Sequence, residues 1–420
     1  MKIYVEKIAG NNLSTTFKFS FELESDDKKE SISFNAGKAK IFLESNYCTF
    51  DFPFDVAMPH PDLVCMAALK IISPYIGSKV EMDRPVSKYF AEAVKERYQN
   101  IKSINTCDIE PRHICGEKYA VSFSGGADSL AAANLCPPGT PLILSARKYH
   151  PEIGVFEPWY KTSGNIETLK HMPDSFCKIY TLSDFEFLST NHNYCIYPDN
   201  YAFTIPCILL ADHLSLTGIL VGDVLAAFTA NETKTFSNNN FSKMRKYYAS
   251  IGLDIDSPVK GVTEIGTEMI NRYYHNDDIS NTCQYGEFRK PCMKCIKCFR
   301  KTLIRNYLSN IEIDNDTLTR FNESNAVINF YNNNMNSVNM SLQLTYKGCM
   351  KNINVENFDT IQKIKNKAFL VEKDVSGLDK LFDEPYYNYN MSKIMHYCLC
   401  NLHKIFSIMN ENEAKIFLQK

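Results

Sequence analysis

Two short stretches of the chain carry residue types suited to chemistry. The first is SGGADS, residues 124–129, which follows an apolar run and precedes an alanine-rich segment. A strand that turns through two glycines into a helix gathers backbone N–H groups at the helix N-terminus, where unpaired donors and the macrodipole favour an anion. This turn is therefore expected to hold phosphate. Gly125 and Gly126 allow close backbone approach, Ser124 and Ser129 add hydroxyl donors, and Asp128 is placed to position Mg2+. The same residue types also build an ordinary strand-to-helix turn in which Asp128 merely caps. The string lacks the spaced GK[ST] of a Walker loop and the third glycine of a dinucleotide fingerprint.

The second stretch, NTCQYGEFRKPCMKCIKCFRK, holds Cys283, Cys292, Cys295 and Cys298. The close CxxCxxC run supplies three thiolates from one tight loop and the earlier cysteine closes a tetrahedral shell, which suits a structural Zn2+ with no open position. Free thiols clustered by chance, or a redox pair, are the alternatives. The flanking Lys290, Lys294, Lys297, Arg300 and Lys301 are expected to form a solvated basic rim that offsets the charge of a zinc–thiolate centre, with a phosphate or nucleic-acid contact as the second reading.

The elements that must position these residues follow from periodicity. Phe17, Phe19, Phe21 and Leu23 alternate with polar residues as in a half-buried strand, with a partner expected to start at Ile32 and Phe34. Residues 61–72 and 86–98 show helical spacing. From residue 116 onward, short apolar runs at 119–123, 141–145, 177–182 and 218–221 alternate with helix-length segments, the pattern of a parallel α/β sheet. A helix is expected over 299–308 and another along the stripe from Met391 to Phe406, with the asparagine-rich FYNNNMNSVNM as a loose insert between them. The expected organisation is an N-terminal α+β domain (1–113), a phosphate-binding α/β domain ending in the cysteine knuckle (114–305) and a mostly helical C-terminal region (306–420).

At 420 residues, with 45% hydrophobic and 22% charged residues, the chain is long enough for two or three cores. Its formal charge of -2 gives no reason to expect DNA or another polyanion as a partner. The N-terminus shows no export pattern, no window reads as a membrane span, and the 15 cysteines are an odd count in a long chain. A reducing, cytoplasmic location is expected.

SGGADS resembles the PP-loop signature SGG-x-DS of ATP pyrophosphatases. Joined to the later cysteine spacing, it is similar to the 7-cyano-7-deazaguanine synthase family over about residues 118–304. The stretch YPDNYAFTIPCILLADHLSLTGILVGD also resembles that family, with Asn200 and Gly222 matching. The resemblance implies a doubly wound parallel sheet of the adenine nucleotide alpha hydrolase-like kind, with Ser122, Phe123, Ser124, Gly125, Gly126, Ala127, Asp128, Ser129 and Leu130 binding ATP and Mg2+. It gives Asp128 and Ser129 the catalytic roles, Asn200, Gly222 and Asp223 the substrate, and the four cysteines zinc. It implies adenylation of a small-molecule carboxylate, pyrophosphate release, and attack by an amine, either ammonia or a protein amine.

The chain departs from the family at Asp199, where arginine is usual, and in GDVLAAFTANETKTFSNNN, which replaces an Asp-Cys-Arg segment. Asp223 and Asn231 are candidate polar contacts there, or simply caps. A changed acceptor is expected, as in defence-associated relatives that join a deazaguanine acid to an amine on a protein. Transfer RNA thiolation and a non-catalytic nucleotide-binding module are the competing readings. His150 and Glu152 fall where such folds line the adenine end, although a structural histidine is the commoner case. Asp184 shares that status, and Lys243, Arg245 and Lys246 read as a solvated loop. The flanking regions are candidate protein-contact surfaces, and the oligomeric state is open, a homodimer included.

Overall fold

The computed structural model describes residues 1–10, 13–32, 40–113, 116–153, 162–190, 197–199, 201–228, 239–283, 285–334, 346, 349–351, 353–369 and 389–408. Asn200, Asn231, Phe34 and residues 335–340 of the asparagine-rich insert lie outside them.

The N-terminal strands are β1 (Lys2–Ala9), β2 (Thr15–Glu22), β3 (Tyr47–Phe52), β4 (Lys79–Met82) and β5 (Ser103–Ile104). Alternation in β2 sends Phe17, Phe19 and Phe21 to one buried face. There Phe17 meets Phe52 edge-on at 5.6 Å and Phe19 meets Phe50 at 5.7 Å, the geometry aromatic quadrupoles favour. Both edges of β2 are taken by antiparallel partners, β1 and β3. The strand at Ile32 therefore pairs elsewhere: Glu30–Ile32 joins Lys40–Leu43 in a separate small sheet, and Ile32 itself is exposed.

The later strands are β6 (Lys118–Phe123), β7 (Pro141–Arg147), β8 (Cys177–Ser183), β9 (Leu216–Leu220) and β10 (Asp254–Asp256). One ten-stranded sheet runs β10-β9-β6-β7-β8-β3-β2-β1-β4-β5. The five strands from β6 onward are mutually parallel, while β8 joins β3 antiparallel, Leu182 opposite Asp51 and Ser183 opposite Phe50. The protein is thus α/β with a large, mostly parallel sheet. From β6 the chain builds outward through β7 and β8, then returns to add β9 and β10 on the other side, so the order reverses between β6 and β9.

Both faces of this sheet are buried, as parallel strands require. Ala120, Ile143 and Ile219 belong to one apolar cluster, and their neighbours Val121, Leu142, Leu144 and Leu220 to a second. The first cluster includes helix α1 (Pro61–Ile72) and the buried side of α2 (Lys88–Arg97). The second includes α3 (Ala127–Leu135), α6 (Glu264–Tyr273), α7 (Ile296–Ser309) and α10 (Tyr389–Ile408). Helices α4 (Thr162–His171) and α5 (Asn239–Ala249) lie between these in sequence, and α8 (Asn315–Asn322) and α9 (Asp359–Phe369) precede α10.

Residues 243–246 lie on α5 and not in a solvated loop: Arg245 is buried and paired with Asp254 at 3.1 Å, whereas Lys246 reaches Glu96 at 2.6 Å. No helix among the described residues is long and apolar enough to cross a membrane.

Candidate functional site

Strand β6 ends at Phe123, and the chain turns at Gly125, whose φ of +74° lies in the left-handed region where a side chain is strained. Helix α3 starts at Ala127 with Gly126 as its cap residue and no side-chain cap. The two serines are wired together inside the turn: Ser124 N–H donates to Ser129 Oγ (3.1 Å), the hydroxyls lie 2.9 Å apart, and Ser129 Oγ donates to Gly126 O (3.1 Å). From outside, Asn165 Nδ2 donates to Ser124 O (2.6 Å) and Asn281 N–H donates to Gly125 O (2.8 Å). The turn's carbonyls are thus engaged from outside, and two of its N–H groups are taken by the serine hydroxyls, Ser124 N–H by Ser129 Oγ and Gly126 N–H by Ser124 Oγ (3.3 Å).

A cavity of about 330 Å3 opens at this turn. Ser122, Phe123, Ser124, Gly126, Ala127, Asp128, Ser129, Gly222 and Asp223 line it. Leu130 instead packs in the core cluster beneath α3, and the Ser122 hydroxyl is engaged with Phe203 O at 3.1 Å. Gly222 follows β9 on the far side of the reversal in strand order and passes directly beneath the first turn of α3.

Asp128 accepts a hydrogen bond from Thr267 Oγ1 of α6 at 2.9 Å, and burial raises its pKa. Burial pushes the Asp223 carboxyl up to about 6, against the Tyr201 hydroxyl that donates to it at 2.6 Å, and the charge of Asp128 raises it further. Both carboxyls line the cavity beside the turn, and burial raises each of them.

The four cysteine sulfurs lie within 4.8 Å of one another, close to the edge of about 3.8 Å expected when four sulfurs surround zinc at about 2.3 Å. Cys292 and Cys298 are 3.8 Å apart. Backbone N–H groups already point at the sulfurs, from Gly286 (3.0 Å) and Cys292 (3.2 Å) to Cys283 and from Lys294 (3.4 Å) to Cys292. Left-handed turns at Arg289 and Met293 make this folding possible. Hydrogen bonds from Cys295 and Cys298 hold the Cys283 thiol well below the usual thiol range. Four clustered sulfurs, N–H···S bonds and a helix beginning at Ile296 suit a structural metal such as zinc.

The basic residues around the cysteines are not one solvated rim. Lys290 and Lys294 are exposed, but Lys297, Arg300 and Lys301 line the cavity. Helix α7 leaves the cage with a phase that turns them inward, where Arg300 pairs with Glu264 (3.2 Å) and Lys301 with Glu268 (3.1 Å) of α6. Arg147, Glu186, Tyr197 and Phe203 line the cavity as well, with Glu186 bonded to Arg147 and accepting from the Tyr197 hydroxyl at 2.8 Å.

Asp199 lies away from this cavity. It receives Lys70 of α1 at 3.0 Å and Arg97 of α2 at 3.6 Å, and so fastens the N-terminal helices to the α/β half. His150 is buried, its Nε2 3.0 Å from Tyr47 O and its Nδ1 accepting from Glu152 N–H, while Asp184 accepts both Thr49 donors. These are loop-fixing bonds.

Residues 243–419 match a family of unknown function, DUF6395. The matched stretch contains the cysteine cage and the cavity-lining residues of α6 and α7, and leaves out the turn at 124–129. No curated protein matches the chain.

Proposed function

We propose that the protein is an ATP-dependent ligase of the PP-loop kind, which adenylates a carboxylate resembling 7-carboxy-7-deazaguanine and passes the acyl group to an amine. The observation that carries this reading is the position of SGGADS: the turn opens a cavity where the parallel strand order reverses, between β6 and β9. Crevices at such reversals are where doubly wound sheets bind nucleotides. The order of β6 to β10 supports a doubly wound core of the adenine nucleotide alpha hydrolase-like kind.

In the proposed reaction a substrate carboxylate oxygen attacks the α-phosphorus of ATP, the bond from that phosphorus to the bridging oxygen breaks, and pyrophosphate leaves with both electrons of that bond. An amine nitrogen then attacks the acyl carbon, expels AMP and releases its proton to solvent. The turn's remaining N–H groups and its serine hydroxyls, with Lys297, Arg300 and Lys301 of the same cavity lining, bind the triphosphate and stabilise charge growing on pyrophosphate. Asp128 and Asp223 would hold Mg2+, which supplies charge neutralisation between phosphate oxygens. A closed shell of four sulfurs has no open position and takes a structural role, which makes these cysteines poor sulfur carriers and weakens the thiolation alternative.

Incubation with ATP, Mg2+, ammonia and 7-carboxy-7-deazaguanine, followed by phosphorus NMR, is expected to give AMP and pyrophosphate. ADP with orthophosphate would overturn the assignment. ATP binding without turnover across a panel of carboxylates and amines would leave a nucleotide-binding module.

A further inference from the structure

The residue two positions before the first cysteine of the cage is also a strut of the phosphate turn. Asn281 N–H donates to Gly125 O at 2.8 Å. Its side-chain Nδ2 donates to Asn165 Oδ1 at 2.6 Å, and Asn165 Nδ2 in turn donates to Ser124 O at 2.6 Å. Two successive carbonyls of the turn are therefore held from one point, once directly and once through Asn165. Neighbouring geometry is built around this relay. Gly164 stands where any Cβ would strike the Asn281 amide group, and Thr168 ties α4 to Ile279 O at 2.8 Å, two residues before Asn281.

We infer that Asn281 is a positioning residue for the phosphate turn, and that the four-cysteine cage acts through it, so that metal in the cage fixes the turn's backbone. This rests on the reading of the turn as a polyphosphate cradle, but its physical content is narrower. Cys283 closes the metal shell from the Asn281 side, so the chain between cage and turn is one residue, Thr282, which itself lines the cavity. A metal ion that draws four sulfurs together removes the freedom of Cys283, and with it the freedom of the strut. Without metal, the carbonyls of Ser124 and Gly125 lose a fixed partner, and the amides between them no longer share one orientation.

The test is amide hydrogen exchange on the full-length chain, zinc-loaded and after zinc removal by a chelator, read on peptides covering residues 122–130 and 2–22. Zinc removal is expected to speed exchange in the turn about tenfold, the equivalent of one lost hydrogen bond, and to leave β1 and β2 unchanged. In zinc-loaded Asn281→Ala and Asn165→Ala the turn should loosen while one zinc per chain is retained, and the double variant should be no looser than the looser single. Unchanged turn exchange in both the zinc-free protein and the zinc-loaded variants, or strictly additive effects, would overturn the inference. Exchange needs no nucleotide, so failure of the zinc-loaded wild type to bind ATP would count against the proposed function and leave this result standing.

Discussion

Gly222 and Ser129 touch backbone to backbone: a methyl group on Gly222 would lie 2.6 Å from the Ser129 nitrogen and 2.8 Å from the Asp128 carbonyl carbon. No side-chain rotation relieves a clash with main chain. Gly222→Ala must therefore push the start of α3 away from β9, at about 1–3 kcal/mol of overpacking. The expected outcome is a lowered melting temperature together with loss of ATP affinity of at least about tenfold, read by calorimetry, because the displaced atoms are those of the turn proposed to hold the phosphates.

The Asp223 carboxyl sets a pH dependence. Burial raises it from its ordinary 3.8 to about 6, so the fold favours its protonated form. Its contribution to stability is complete below pH 3.8 and is lost as pH rises through about 6. In Mg2+-free protein the difference in melting temperature between wild type and Asp223→Asn should be small near pH 4 and grow in favour of the variant above about 6. Mg2+ should raise the melting temperature of the wild type above that pH and leave Asp223→Asn unaffected. A constant difference across the range would count against this assignment.

Lys301 and Glu268 form a buried pair across α6 and α7, 3.1 Å apart, with Asp128 and Glu264 also raising the lysine's pKa against its burial. Lys301→Met leaves buried Glu268 with only Arg305, 3.8 Å away, and should cost about 3 kcal/mol in urea unfolding. Lys301→Met with Glu268→Gln should recover most of that loss. Recovery of stability without recovery of pyrophosphate release would separate the lysine's part in the proposed reaction from its part in the fold.

Cys292 is the most exposed of the four ligand sulfurs. Zinc should protect all four from alkylation, while the exposed Cys177 and Cys400 should react with or without it. Cys295→Ser removes the sulfur that caps α7 and accepts from Cys298 N–H at 3.4 Å. Metal analysis is expected to find well under one zinc per chain in that variant.

What could be read in advance divides along physical lines. SGGADS and the alternating phenylalanines of β2 act through nearest neighbours in sequence, and they stand out in any window. Strand β10 does not, because the run Asp254-Ile255-Asp256 looks like a solvated turn. Both aspartates are fully buried, neutralised by Arg245 and by Lys260 at 3.0 Å, and those partners lie up to nine residues away. The inward turn of Arg300 and Lys301 was equally hidden, since spacing places them on a helix but cannot say which side of it meets a cavity. Asn165 and Asn281 carry no signal at all: two asparagines 116 positions apart become partners only when α4 and the stem of the cysteine loop converge on the same turn.

The antiparallel seam between β3 and β8 has a consequence for how the chain can be divided. Only Leu182 and Ser183 of β8 pair across it, but the sheet face carrying Ala120, Ile143 and Ile219 is packed in the same apolar cluster as the N-terminal strands and α1, and a stripped face and edge invite stacking with any passing copy. A fragment beginning near residue 116 is thus expected to precipitate on expression even though it keeps every cavity residue, because the N-terminal strands serve the rest of the molecule as its selvedge.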